Sequence, residues 1–247
     1  GRPYLADFEN IWEGRATDSI TVHLAEQIKL EIAADWERRG ISYGQLRALL
    51  EQERKSQHGE KELRDYQELA IYAWQENNFK GVMALCTGAG KTFTTIHASR
   101  LLDDKHRALD RSFALIVTVP YKILAHQWCR ELSDYFEQVI ECWSDNPNWK
   151  QQFPAAVFGT FSTNGPRASF AAVVVNDTFQ EPSFQTPFKG IPLDCMMFVG
   201  DEVHRHGTRR FAGLIPESQY KIGLSATPWS VGEDEREELV KSIYGDV

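Results

Sequence analysis

Between residues 82 and 92 an apolar run (VMALC) breaks into Thr87-Gly88-Ala89-Gly90-Lys91-Thr92 and then passes into a helical pattern. A strand that ends in a glycine-rich turn and opens a helix is the setting of a phosphate-binding loop. The glycines let the backbone curl until successive N–H groups point inward, and the helix N-terminus adds partial positive charge. Lys91 has the length to reach β- and γ-phosphates, and the Thr92 hydroxyl is a ligand for Mg2+. The strict pattern GxxxxGK[ST] is not met, because Leu85 stands at its first glycine position. A chance glycine turn between strand and helix is the competing reading, and the rest of the chain weighs against it.

From residue 62 onward the texture alternates. A helical pattern over 64–78 precedes the apolar run 82–86, and a helix over 91–103 follows the glycine turn. Then come the run 113–119 (FALIVTV), a helix over 122–136 and the run 138–143 (QVIECW). The later runs are 171–175 (AAVVV), 194–200 (DCMMFVG) and 220–226 (YKIGLSA). Short, continuously apolar strands separated by amphipathic helices predict an α/β fold with a central, mostly parallel sheet covered on both faces. Residues 144–170 and 177–193 hold much of the Pro, Gly, Ser, Asn and Thr and read as surface loops. Residues 1–60 differ: Ile20, Leu24, Ile28 and Ile32 recur every four positions, Arg38-Arg39-Gly40 ends a helix, and Ser42 caps a second through Leu46, Leu49 and Leu50. The expected organisation is a helical N-terminal extension over 1–60, packed on the main domain or serving a partner, and a domain over 61–247.

Composition sets the outer bounds. The 247 residues are 42% hydrophobic and 25% charged with net charge −8, which excludes a largely disordered chain and a globally basic nucleic-acid binder. No apolar stretch approaches the ~20 residues of a membrane helix, and the first residues lack the apolar core of a signal peptide. A soluble, cytoplasmic protein without a membrane partner is the expectation. Cys86, Cys129, Cys142 and Cys195 form no CxxC pair. They read as buried free thiols rather than a zinc site or a disulfide framework.

Two further strand ends carry polar groups. Residues 196–200 run straight into Asp201-Glu202-Val203-His204, delivering an acidic pair to the carboxyl edge of the sheet, where open α/β folds bind ligands. Asp201 would hold Mg2+, and Glu202 would orient and deprotonate an attacking water. Asp-Glu pairs are also common on solvated faces; the buried strand before this one and the glycine loop upstream of it favour the site. Residues 223–228 (GLSATP) place two hydroxyls at another strand edge, where a plain ST turn is the alternative.

Taken in order, LRDYQ (63–67), TGAGKT (87–92), VPYKILAHQW (119–128), DEVH (201–204) and LSATP (224–228) resemble the first motor domain of superfamily 2 helicases and translocases. The likeness is to the DEAH-like branch, which includes restriction-enzyme motor subunits and double-stranded DNA translocases, and it covers roughly residues 60–245. The resemblance implies a RecA-like P-loop fold, ATP and Mg2+ as ligands, and ATP hydrolysis coupled to movement on nucleic acid, DNA before RNA. It implies that Gln67 contacts the adenine edge with Arg64 nearby. Thr87, Gly88, Ala89, Gly90, Lys91 and Thr92 would hold phosphate, with Thr92 and Asp201 on the metal. Glu202, Asp201, Lys91 and His204 would be the catalytic set, and Ser225, Ala226 and Thr227 would couple hydrolysis to movement. Pro120, Tyr121 and Gln127 would touch nucleic-acid backbone, as would Thr178 from residues 174–179 (VVNDTF), with Thr160 as a competing match.

The family motor also has a second domain that supplies an arginine finger. Residues 229–247 are too few for it, so a fragment, or a chain that relies on a partner, is expected, weak in ATP hydrolysis alone. Nuclease or other defence-system subunits are further implied partners. The basic stretch 204–210 (HRHGTRR) is either a local nucleic-acid contact or a solvated helix start. A metal site on His204 and His206 is disfavoured. An RNA helicase or RNA sensor, and a nucleotide-gated module that switches without translocating, remain open as alternatives.

Overall fold

A computed structural model describes residues 62–162, 167–206, 208–226 and 234–245. The expected extension over 1–60 and Thr227 of the coupling set lie outside the described residues. From Leu63 onward the chain forms one compact unit.

The elements run α1 (Asp65–Glu76), β1 (Lys80–Ala84), α2 (Lys91–Ala108), β2 (Phe113–Val119), α3 (Lys122–Leu132), β3 (Val139–Cys142) and α4 (Trp149–Phe161). They continue β4 (Ser169–Val175), α5 (Asn176–Phe179), α6 (Pro182–Phe188), β5 (Met196–Asp201), a 3-10 turn (Val203–Arg205), α7 (Arg209–Ala212), β6 (Tyr220–Ser225) and α8 (Asp234–Tyr244). The six strands lie in the order β1-β6-β5-β2-β4-β3, and every pairing is parallel. The mostly parallel sheet expected from the sequence is therefore wholly parallel among the described residues. β2 shows why: all seven of its residues are buried. Leu115, Val117 and Val119 face one core with Ile96, Leu102 and Trp128, whereas Ala114 and Ile116 face the other with Phe153, Phe184 and Tyr244. A strand buried on both faces has no use for polar alternation.

Two stretches read as loops prove to be helical. α4 lies within 144–170, and α5 and α6 fall largely within 177–193. Their Pro, Gly and Ser content conceals an aromatic set, Trp149, Phe153, Phe184 and Phe188, that is buried against β4 and β5. Phe153 and Phe184 stack with ring centroids 4.5 Å apart. Pro182 sits at the start of α6, where a missing N–H costs nothing. Cys86 also departs from expectation. It is exposed, whereas Cys129, Cys142 and Cys195 are buried.

The strand order positions the site. The chain leaves β1 for β2 three places away, builds the far edge, and returns to insert β5 and β6 into the gap. Ala84 of β1 is thereby in register with Ser225 of β6, and Leu224 with Asp201 of β5. Three loops from distant parts of the chain emerge side by side at the carboxyl edge.

Candidate active site

The glycine loop follows β1 directly. Gly88 and Gly90 both adopt φ of +81°, the left-handed region that glycine enters without a Cβ penalty. A Cβ on Gly90 would come 2.5 Å from Gln67 Nε2. Thr94 N–H donates to Gly90 carbonyl, the first bond of α2, so the N–H groups of residues 91–93 precede the helical ladder. Thr87 and Gly88 are exposed, and the loop is open to an incoming anion. Lys91 Nζ donates to the carbonyls of Leu85 (2.9 Å) and Cys86 (3.5 Å), which holds the ammonium at the mouth of the loop.

Gln67 is buried, and both ends of its amide are engaged within the protein. Its Oε1 accepts from Arg64 N–H (2.9 Å) and its Nε2 donates to Ala89 carbonyl (3.0 Å). The neighbouring Tyr66 hydroxyl donates to the same carbonyl at 2.8 Å. In this structure Gln67 is a strut of the glycine loop. Tyr66 had no role in the sequence reading, although it stands inside the LRDYQ run. Arg64 is exposed beside it, its Nη1 3.5 Å from the Tyr66 hydroxyl.

Asp201 is 7% exposed at the end of β5. Its Oδ2 accepts from Trp128 Nε1 at 2.8 Å and its Oδ1 from Glu202 N–H at 3.0 Å. Burial pushes its carboxyl above the ordinary value; the Trp128 bond and the nearby Lys91 charge pull it back. Lys91 and Asp201 are therefore close enough to sense each other. Glu202 adopts φ 55°, ψ 54°, a left-handed conformation that costs a non-glycine residue about 1–2 kcal/mol. The turn aims its carboxylate at His204, whose Nδ1 lies 3.4 Å from Glu202 Oε2 and 3.4 Å from Ser225 Oγ. His204 thus bridges the turn after β5 and the last residue of β6, which Ala226 follows directly. His206 goes elsewhere: it is fully buried with Nδ1 2.8 Å from Tyr244 Oη.

No group of three metal-binding side chains occurs among the described residues. A divalent ion held by one or two protein oxygens and completed by phosphate and water is the usual arrangement for Mg2+. The Thr92 hydroxyl at the start of α2 and the Asp201 carboxylate are a donor set of that kind. With the glycine cradle and Lys91, the residues fit a nucleotide with its cation. A cleft of about 390 Å3 lies at the opposite edge, between the starts of β1, β5 and β6, and belongs to none of this.

The residues expected on nucleic acid divide. Tyr121 is 51% exposed, and Gln127 is exposed with its Nε2 donating to Glu131 at 3.1 Å. Pro120 precedes them, half-buried. Thr178 is 6% exposed within α5, and Thr160 is equally buried in α4, so neither offers a hydroxyl at the surface. In the basic stretch Arg205, Arg209 and Arg210 are exposed, and Thr208 caps α7 by accepting from Phe211 N–H.

Residues 60–230 match the family described as ResIII, type III restriction enzyme, res subunit. Among curated proteins none matches. Among solved structures, a nuclease-deletion mutant of the type ISP restriction-modification enzyme LlaGI in complex with a DNA substrate mimic shares 20% identity at a TM-score of 0.58 over 76% of this chain and 19% of that one. The Pyrococcus furiosus Hef helicase domain shares 19% identity at 0.54, over 74% of this chain and 36% of its own. The Sulfolobus solfataricus SWI2/SNF2 ATPase core in complex with double-stranded DNA shares 16% at 0.52, again over 74% and 36%. At these identities the structures show the fold, and the chain spans well under half the length of each. Among the described residues no helix is long and apolar enough to cross a membrane. The matched family and the fold together place this chain in the ResIII family as a superfamily 2, RecA-like motor domain.

Proposed function

We propose that this domain binds and hydrolyses MgATP as the first half of a motor that moves on duplex DNA in a restriction or defence system. The observation that carries the nucleotide part is the convergence of the Lys91 loop, the Asp201–Glu202 turn and the His204–Ser225 contact at the carboxyl ends of three adjacent strands. Type ISP restriction enzymes and a DNA-bound SWI2/SNF2 core among the structures with this fold support the choice of DNA.

In this reading Lys91 and the N–H groups at the start of α2 bind the β- and γ-phosphates. Thr92 and Asp201 would hold Mg2+, which when bound neutralises charge developing on the phosphoryl oxygens. Glu202 orients a water for in-line attack and accepts its proton. The new bond forms between water oxygen and γ-phosphorus as the bond to the β-phosphate bridging oxygen breaks and ADP leaves. His204 senses the position of Glu202 and passes it to Ser225. Tyr121, Pro120 and Gln127 face backbone phosphates, so binding is insensitive to sequence and falls with salt. A second motor domain would close over the nucleotide.

The test is steady-state MgATP turnover by the full-length protein with and without duplex DNA, beside Lys91→Ala. Turnover stimulated by duplex DNA in the wild type, together with a loss of at least about 10-fold in nucleotide affinity for the variant, is expected. Normal turnover by Lys91→Ala refutes the phosphate assignment. Stimulation by duplex RNA alone gives the protein to the RNA class, and stimulated turnover without triplex displacement makes it a switch.

A further inference from the structure

The proposed function leaves one buried polar contact unexplained. Trp128 lies on the inner face of α3 with Ala125, Cys129 and Leu132 and is 1% exposed. An indole has a single polar atom, a donor, which when buried usually finds an acceptor. Trp128 finds it in Asp201 Oδ2 at 2.8 Å, across the sheet edge from α3. With Glu202 N–H on the other oxygen, two donors hold the orientation of the carboxylate and leave one lone pair on each oxygen free.

A second contact ties the other end of the same helix to the same segment. Tyr121, the N-cap of α3, lies under the guanidinium of Arg205, whose central carbon is 4.7 Å from the ring centroid. Arg205 closes the 3-10 turn that begins after Glu202. Tyr121 stands just before α3 in extended backbone, and Trp128 lies seven residues further on, within the helix. The helix and the cap residue that starts it thus touch the segment 201–205 twice. One contact is buried at the carboxylate, and the other is exposed where the proposed function puts the DNA backbone.

We propose that α3 carries DNA engagement to the metal site, with Trp128 as the residue that positions Asp201. The inference rests on the motor reading above. DNA drawn against Tyr121 shifts the start of α3 and Arg205 together, and the rigid two-turn span delivers that shift to Trp128 and the Asp201 carboxylate. A tryptophan present for packing alone would leave the metal requirement of turnover untouched when its N–H is removed.

The experiment is a Mg2+ titration of ATP turnover in the full-length protein, at saturating duplex DNA and without DNA, for wild type, Trp128→Phe and Arg205→Gln. Trp128→Phe keeps an aromatic ring in the core and deletes the donor. The half-saturating Mg2+ concentration is expected to rise about 10-fold in it, the scale on which loss of a group orienting a metal ligand acts. Its nucleotide affinity measured in EDTA is expected to stay at the wild-type value. Arg205→Gln, at an exposed position that cannot compromise the core, is expected to lose most of the DNA stimulation at saturating DNA. Wild-type Mg2+ requirement in Trp128→Phe, or wild-type stimulation in Arg205→Gln, overturns the proposal while leaving the motor reading intact. A wild-type protein that DNA does not stimulate sinks the motor reading itself.

Discussion

Glu202 is held in a left-handed backbone conformation that its side chain does not favour, and the neighbouring residues over-determine it. Asp201 anchors its N–H, Arg205 N–H donates to its carbonyl, and His204 faces its carboxylate. Strain maintained in this way is common where a side chain must be aimed. Glu202→Gln keeps the shape of the turn and removes the base. We expect turnover to fall by about 100-fold or more with nucleotide affinity within a few-fold of wild type, read from single-turnover kinetics and an equilibrium titration. Equal loss of both would point to a collapsed site instead. At this scale the glycine loop and the acidic pair stand out as candidates because each follows an apolar run, whereas His204 entered only through the family resemblance. Trp128 and Tyr66 do not stand out. A tryptophan at helical spacing among Ala125, Cys129 and Leu132 reads as core, and nothing local says which acceptor its N–H will meet. The bond from Gln67 Nε2 to the glycine loop was hidden for the same reason, since its partner Ala89 lies in a different element.

At the scale of elements, β5 and α8 are fitted to each other at Gly200. A Cβ there would come 2.6 Å from His206 Cε1 and would run into the Tyr244 hydroxyl. Gly200→Ala is therefore expected to destabilise the domain by about 1–3 kcal/mol through overpacking, measured by urea denaturation. The neighbouring Asp201 would be displaced with it, so nucleotide binding should weaken in parallel. A variant as stable as wild type would mean that α8 gives way without cost. The helices α4, α5 and α6 teach the reverse lesson. Composition marked them as loops, yet Trp149, Phe153, Phe184 and Phe188 form an aromatic layer over β4 and β5. Proline and glycine weigh heavily in a local reading, whereas the burial of four large rings, each worth about 2–3 kcal/mol, is settled by what lies opposite.

For the molecule as a whole, His206 ties stability to pH. Its ring is fully buried and stacks on Phe211 with centroids 4.4 Å apart. It has Tyr244 Oη at Nδ1 and, among the described residues, no partner at Nε2, so the charged ring would leave one N–H without an acceptor. Burial lowers its pKa from 6.5 to about 3. Between those values the unfolded chain binds a proton that the folded one refuses, so this group's contribution is intact above pH 6.5 and is lost as pH falls. At pH 5 the loss relative to pH 7 is about 2 kcal/mol, or roughly 4–8 °C of melting temperature for a unit of this size. Asp201, whose pKa is raised, acts in the opposite sense and offsets part of it. Thermal melts of wild type and His206→Gln at pH 7 and pH 5 isolate the effect: the extra loss should vanish in the variant. The alternation of apolar runs and amphipathic helices was enough to specify a two-faced parallel sheet, and strand-end chemistry was enough to single out the glycine loop and the acidic pair as candidates, because both depend on neighbours along the chain. That β5 and β6 insert between β1 and β2, bringing Ala84, Ser225 and Asp201 alongside, and that Trp128 reaches across to a carboxylate, depends on contacts between distant segments. Such contacts are chosen by the packing of whole faces, and no short stretch of residues carries that information.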